Sequence, residues 1–207
     1  MAFPVELASL LTGASLGQLQ HWRGSGLLIP EIQRRPKALY SFRDVVALRT
    51  VVRLRAEVSL QTVRSAFGTL LEYDLTDHPS AYKLLTDGKS VFFQAPDSDE
   101  TIDLVKRKGQ RVLITMEDVF KPFTNLQGSS VVDFRHPRAN LEIREHRLGG
   151  WPTVAGTRVR YDTVARLLSD GTIEPSEAQN FYPQVTAAGA IDALDLDLSV
   201  RNVRGAA

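Results

Sequence analysis

Between Trp22 and Pro30 the chain reads Trp-Arg-Gly-Ser-Gly-Leu-Leu-Ile-Pro, and this run limits the fold more than any other stretch. Two glycines and a proline in so short a span break any helix that enters it. Before it, residues 4–12 and 15–23 read as two short helices with a turn at Gly13. The second carries Gln18, Gln20, His21 and Arg23 among Leu16, Leu19 and Trp22. After it come Arg34, Arg35 and Lys37, then Tyr40 and a third helix from about Ser41.

In that third helix Val45, Val46, Leu48, Val51, Val52 and Leu54 recur at helical spacing, which places Arg43, Arg49 and Arg53 on the other side. Ser41 is the expected N-cap, with Asp44 three residues on as the acidic arm of a capping box. Ser59 opens a fourth helix to about Tyr73 that buries Leu60, Val63, Phe67, Leu70 and Leu71. Helix, turn, polar helix, basic loop and packing helix make a winged helix-turn-helix, which enters a major groove and grips the flanking phosphates. Ser15, Gln18, His21, Arg23, Arg34, Arg35, Lys37 and Tyr40 are the residues expected at such a DNA surface. Gln18 and His21, spaced i, i+3, share a face, whereas Gln20 projects elsewhere; glutamine suits adenine edges. Trp22, Leu16 and Leu19 read as core.

Charge supports a polyanion partner for this half only. The net charge is +1, but residues 1–64 hold nine Arg/Lys against four Asp/Glu. Residues 167–200 hold six acids and no base, which suits no polyanion. With 207 residues, 43% of them hydrophobic, two compact units are expected rather than one. The absence of cysteine excludes disulfides and thiolate metal sites. Neither a signal peptide nor an apolar run long enough for a membrane span is present, so a soluble cytoplasmic protein is expected.

His78-Pro79 interrupts the fourth helix, because proline disfavours helix in the residue before it. Strands are expected over residues 90–94 and 111–115, with a weaker one over 101–105. The basic turn Lys106-Arg107-Lys108-Gly109 is read as a solvated hairpin tip in preference to a nucleic-acid contact. Residues 116–123 suggest a short helix stopped by Pro122, and residues 125–130 are the best linker candidate. Residues 131–134 and 140–144 look extended. Short helices over about 162–169, 175–182 and 186–194 close the chain, and residues 199–207 form a flexible tail. The expected class is α+β, mainly helical: a winged helix-turn-helix over 1–76, a β-containing connecting segment over 77–130, and a small helical, helix-turn-helix-like module over 131–207.

The helix pair, the run from Trp22 to Pro30, the basic wing up to Tyr40-Ser41 and the stretch Val58-Ser59-Leu60-Gln61-Thr62-Val63-Arg64 together resemble the N-terminal domain of the MerR family. The family usually places an arginine in the second helix where this chain has Gln18 to Gln20, so the operator sequence does not carry over. Its regulators continue into a long dimerising helix and an effector domain, often with metal-binding cysteines. Here the helix stops early and cysteine is absent, which argues against metal sensing and places dimerisation elsewhere.

Farther on, Gly149-Gly150-Trp151-Pro152-Thr153-Val154-Ala155-Gly156-Thr157-Arg158 and the helices after it resemble a small family known as a domain of unknown function. A phosphate loop would need a helix N-terminus with Lys-Ser/Thr behind the glycines. Gly149, Gly150, Pro152, Gly156, Thr157 and Arg158 are therefore read as a structural turn, with Arg158 expected to satisfy backbone carbonyls. The last helices of that family form a helix-turn-helix, but Asp195 and Asp197 would repel phosphates, so packing or dimer formation is the expected role.

Together the two modules resemble VapB-type antitoxins, partners of PIN-domain ribonuclease toxins. The resemblance implies a homodimeric antitoxin that represses its own operon by binding operator DNA and blocks a toxin whose carboxylates bind Mg²⁺ or Mn²⁺. An inserted arginine would displace that metal. Arg201 and Arg204 in the tail are candidates, with Arg138, Arg144 and Arg147 as alternatives. The competing reading is a stand-alone MerR-like regulator whose segment 80–123 binds a small apolar effector; a third is a structural adaptor. His21, His78, His136 and His146 lack metal-ligand spacing, and no nucleophile or nucleotide fingerprint occurs. Neither an enzyme nor a cofactor is expected.

Overall fold

The computed structural model describes residues 2–72, 83–86, 90–94, 101–105 and 119–205. The strand β1 (Phe3–Pro4) leads into α1 (Val5–Thr12), which ends at Gly13 with φ 76° and its N–H returned to the Ser9 carbonyl. The helix α2 (Leu16–Gly24) starts on a complete capping box. Ser15 Oγ accepts the Gln18 N–H at 3.2 Å, and Gln18 Oε1 accepts the Ser15 N–H at 2.9 Å. The strand β2 (Leu39–Tyr40) pairs antiparallel with β1, setting Tyr40 opposite Phe3.

The helix α3 (Phe42–Arg55) follows, with the expected capping box of Ser41 and Asp44 in place. Asp44 is fully buried and takes the N–H groups of both Ser41 and Glu31, at 2.8 and 2.9 Å. One carboxylate thus fixes the start of α3 and the root of the basic loop. The helix α4 (Leu60–Glu72) lies against α3, with Val63 buried and Leu60 and Phe67 half-buried. Tyr73 lies outside the described residues.

In the middle, β3 (Lys83–Thr86), β4 (Val91–Gln94) and β5 (Thr101–Asp103) form an antiparallel sheet in that order. The two expected strands at 90–94 and 101–105 are present, and β3 is an addition. The expected strand at 111–115 and the basic turn before it lie outside the described residues. Val119 and Phe120 are helical, and the helix stops at Lys121-Pro122.

Three expectations are corrected. Residues 125–130 do not form a linker. They close a hairpin between β6 (Phe123–Thr124) and β7 (Ser130–Val131), in which Asn125 Oδ1 accepts the N–H groups of Gln127 and Ser129. Asn125 Nδ2 then donates to the Gly13 carbonyl at 2.9 Å, seating the hairpin on the turn between α1 and α2. A Cβ at Gly13 would collide with Val131 Cγ2, so that turn admits only glycine at this approach.

Arg49, expected on a polar face, is fully buried. The helix α3 is enclosed on nearly all sides, and the guanidinium gathers carbonyls that helix ends leave unpaired. It donates to Leu11 at the end of α1, to Val119 at 2.5 Å, Phe120 at 3.2 Å and Lys121 at 2.9 Å where the helix stops, and to Val132 at 2.6 Å. Burial pulls its pKa down to about 10, which leaves it charged at neutral pH.

The last helix is longer than expected. After α5 (Tyr161–Leu168) and α6 (Ala178–Phe181), α7 runs from Ala187 to Gly205, so residues 199–205 continue the helix and are not a loose tail. It packs on α5 and α1. The strands β8 (Leu141–Glu142) and β9 (Thr153–Val154) pair beside it.

Front and rear share one apolar core that runs from Phe3 and Leu7 through Leu48 and Phe134 to Trp151, Tyr161 and Leu196. The Phe3 and Trp151 rings lie 5.6 Å apart, and Phe42 and Phe134 5.7 Å apart. The Gly149-Gly150 turn presses on α3, where a Cβ at Gly150 (φ 79°) would overlap the Phe42 ring. Short two-stranded sheets around these helices make the class α+β, mainly helical.

Candidate nucleic-acid interface

The helix α2 is short, so its buried residues fix which side faces water. Leu19 and Trp22 are buried. The exposed positions are Gly17, Gln20, His21 and Gly24, a stripe at i, i+3, i+4 and i+7. With Ser25 they line a shallow hollow of about 530 Å³. The expected pairing of Gln18 with His21 is thereby corrected: Gln18 is occupied by the capping box, and Gln20 shares the open face with His21. Glycines at the stripe's ends let another surface approach the backbone closely.

The basic loop is a β-wing. Gln33 and Leu39 exchange both backbone hydrogen bonds, at 3.1 and 2.9 Å, and Gln33 Nε2 donates to the Lys37 carbonyl at 3.0 Å. The tip residues Arg34, Arg35 and Lys37 are exposed. A groove of about 540 Å³ separates the wing from α2, lined by Leu16, Gln20, Arg23, Lys37 and Leu39 among others. Arg23 is half-buried and approaches the Arg34 carbonyl at 3.5 Å. Glu31 anchors the wing's root, accepting Ser41 Oγ–H and Arg43 at 2.6 Å each.

Tyr40 lies elsewhere than expected. At 1% exposure it belongs to the core beneath the wing, because β1 pairs over it. Burial raises its hydroxyl pKa, with the nearby Arg23 charge acting in the opposite sense. Ser15 is exposed, but its hydroxyl serves as the N-cap.

Arg64, on α4, was not among the expected site residues. Its Nη2 donates to Ser25 Oγ at 2.7 Å and stands 3.1 Å from His21 Nε2. The sequence signal for it was weak: Arg64 occupies a solvent position of α4, and only the tertiary fold brings it to the end of α2. The surface thus joins Arg23, Arg34, Arg35, Lys37 and Arg64 to a polar helix face, an arrangement suited to phosphates around a groove-reading helix.

At the rear, the arginines fall into two groups. Arg138 donates to Asp195, to Ser199 Oγ and to the Pro137 carbonyl, and Arg147 to Glu142 and the Thr157 carbonyl. Both are largely enclosed. Arg144 pairs with Glu142 at 2.7 Å and Arg201 with Asp197 at 2.6 Å, yet their side chains stay 62% and 57% exposed. The side chain of Arg204 is outside the described set. Arg158 is exposed, so the carbonyl role expected of it falls to Arg147.

The glycine turn closes on Glu142, only 3% exposed, whose carboxylate accepts the Gly156 N–H at 2.9 Å and both Arg144 and Arg147. Burial would raise its pKa, but those donors outweigh it and hold the carboxyl below its ordinary value. Thr157 Oγ1 donates to the Val154 carbonyl, and Pro152 is buried. The turn spends its polar groups on itself. The acids of α7 are likewise engaged internally, with Asp192 accepting both nitrogens of Asn140. Among the described residues, no group of three or more His, Asp or Glu is placed to hold a metal ion, and no helix is long and apolar enough to cross a membrane.

Residues 4–66 match the family described as MerR HTH family regulatory protein, and residues 141–195 match a family of proteins of unknown function, DUF433. No curated protein matches significantly. Among solved structures the chain is similar to Rv2018 from Mycobacterium tuberculosis, with 21% identity and a TM-score of 0.55 over 93% of this chain and 96% of that one, a likeness of fold. The chain carries a MerR-family helix-turn-helix domain at its N-terminus and a DUF433 domain at its C-terminus.

Proposed function

We propose that the chain is a transcription repressor that reads operator DNA with α2 and grips the flanking backbone with its wing. The observation that carries this is the pairing of an open polar stripe, Gly17-Gln20-His21-Gly24, with exposed cations on a hydrogen-bonded wing one groove away. With α2 on each of two copies related by a two-fold axis, a dimer would read two half-sites about 34 Å apart. The homodimer is part of the proposal, and the rear half is its proposed seat. Binding of duplex fragments from upstream of the gene, followed by anisotropy, tests the reading. Affinity should fall steeply with salt and collapse in the Arg34→Ala/Arg35→Ala variant while the fold is retained.

The finer proposal is that the repressor is the antitoxin of a pair and holds a PIN-domain ribonuclease inactive. Its support is the order of the two modules, together with two arginines, Arg144 and Arg201, that extend into solvent at the rear. Arg138 and Arg147 are spent on internal partners and are withdrawn as inhibitory plugs. Co-expression with a neighbouring PIN-domain frame should give a stable complex without RNase activity, released by Arg144→Ala/Arg201→Ala. Failure to form a complex, with operator binding intact, would leave a regulator without a toxin partner.

A further inference from the structure

A guanidinium carries only N–H donors and no acceptor, and it stays charged. Arg64 Nη2 stands 3.1 Å from His21 Nε2 and is anchored by its second bond, to Ser25 Oγ at 2.7 Å. The only favourable arrangement of that contact has Nε2 as the acceptor. The imidazole is then neutral with its single proton on Nδ1. His21 belongs to the open stripe of α2, in the shallow hollow with Gly17, Gln20 and Gly24. The nitrogen left for a partner is therefore a donor.

We propose that His21 is a specificity-determining residue that presents Nδ1–H to an acceptor on a base edge, with Arg64 as the positioning residue that fixes its tautomer. This rests on the DNA-reading role of α2 proposed above. In the major groove guanine offers N7 and O6, adenine N7 and thymine O4 as acceptors, whereas cytosine offers only the N4 amino donor. The site accepts a base that presents an acceptor opposite His21 and discriminates against cytosine. Neutral His21 also leaves Arg64 as the cation of the pair, placed at the end of α2 where a phosphate would pass.

Two measurements on the full chain test this. Nitrogen-15 NMR of the histidine rings, above the ordinary imidazole pKa of about 6.5, reads the tautomer directly. The His21 signals are assigned by their loss in His21→Asn. Wild type should show a protonated Nδ1 and a bare Nε2, and Arg64→Met should lose that preference. An Nε2–H tautomer in wild type would overturn the assignment.

Selection from a random duplex pool then reads specificity. Asparagine places its amide nitrogen near the Nδ1 position and glutamine places its own near Nε2. His21→Asn should keep the selected base, while His21→Gln and Arg64→Met should relax discrimination at that one position by about tenfold, the scale of a single base contact. Selection of cytosine, or equal behaviour of the two His21 variants, would refute the base-reading role. If wild type selects no duplex, the DNA reading fails as a whole, and the NMR result alone still decides the tautomer.

Discussion

Arg49 on α3 donates through Nη2 to the carbonyl of Val132 at 2.6 Å, joining positions 83 residues apart. The same side chain reaches Leu11 in the first helix and Val119, Phe120 and Lys121 just before the β6–β7 hairpin. The Phe123 and Phe134 rings flank it, with centroids 5.1 and 5.6 Å from Cζ. Five backbone acceptors from three segments share one planar donor, so the N-terminal half and the rear half are held at a fixed relation.

Removing that donor takes a charged hydrogen-bond partner from buried carbonyls, each such bond being worth about 1.5–3 kcal/mol. Arg49→Met should therefore lower the unfolding free energy by roughly 3–5 kcal/mol, the worth of two such hydrogen bonds to a charged group. Arg49→Lys should recover less than half, since a point ammonium cannot span the same carbonyls. Urea titration of both variants checks this, and a loss under about 0.5 kcal/mol for Arg49→Met, the range of surface substitutions, would be inconsistent with it.

The two polar residues that bracket the start of α2 should separate stability from reading. Ser15→Ala removes the N-cap and should cost about 1 kcal/mol, with base preference unchanged. Gln20→Ala, on the open face, should leave the melting temperature in place and change base preference. Thermal melts and duplex selection on the same two variants give the comparison.

Arg34, Arg35 and Lys37 are exposed at the wing tip, so their loss should not affect folding. Each one that holds a phosphate should reduce the slope of log affinity against log salt by about 0.9 when changed to alanine. Anisotropy across a salt series measures the slope, and an unchanged slope in the triple variant would remove the wing from the interface.

Glu142 gives the rear half a pH dependence with a defined sign. Its native pKa is depressed, so the stability it contributes is complete above the unfolded value of about 4.3 and is lost as pH falls through the lower native value. Glu142→Gln should destabilise by about 1.5–3 kcal/mol near neutral pH, the worth of hydrogen bonds to a charged group. The gap to wild type should close as the solution is acidified below about pH 4. Denaturation at a series of pH values tests this, and a constant gap would exclude the charge as the cause.

Much of the front was legible in the sequence because local chemistry decided it. Ser41 caps where residue type and spacing indicated, and the Gly-Ser-Gly-to-Pro run turns the chain into the wing, whereas Ser15, assigned to the DNA surface, turns out to be the cap of α2. Arg49 was misplaced because a charge was assigned to a polar face, although Val45, Val46, Val51 and Val52 already covered more than one side of the helix. A helix apolar on several sides is buried, and a cation within it must find acceptors there. Asn125 and Gly128 looked like a linker because turn residues and linker residues are the same types. Their spacing between Phe123 and Val131 was the signal for a hairpin. Gln18 had two uses open to it, and its i, i+3 relation to Ser15 favoured the cap over a base. The Arg64–His21 contact depends on packing between α2 and α4, which periodicity does not encode.

A DNA-reading surface formed by α2 and the wing is tested by selection of duplexes by the full chain from a random pool, beside the Arg34→Ala/Arg35→Ala variant. Enrichment of a two-fold symmetric sequence by wild type, lost in the variant with its melting temperature unchanged, is the predicted result. Recovery of an unenriched pool by wild type, with the same weak binding in both proteins, would contradict it.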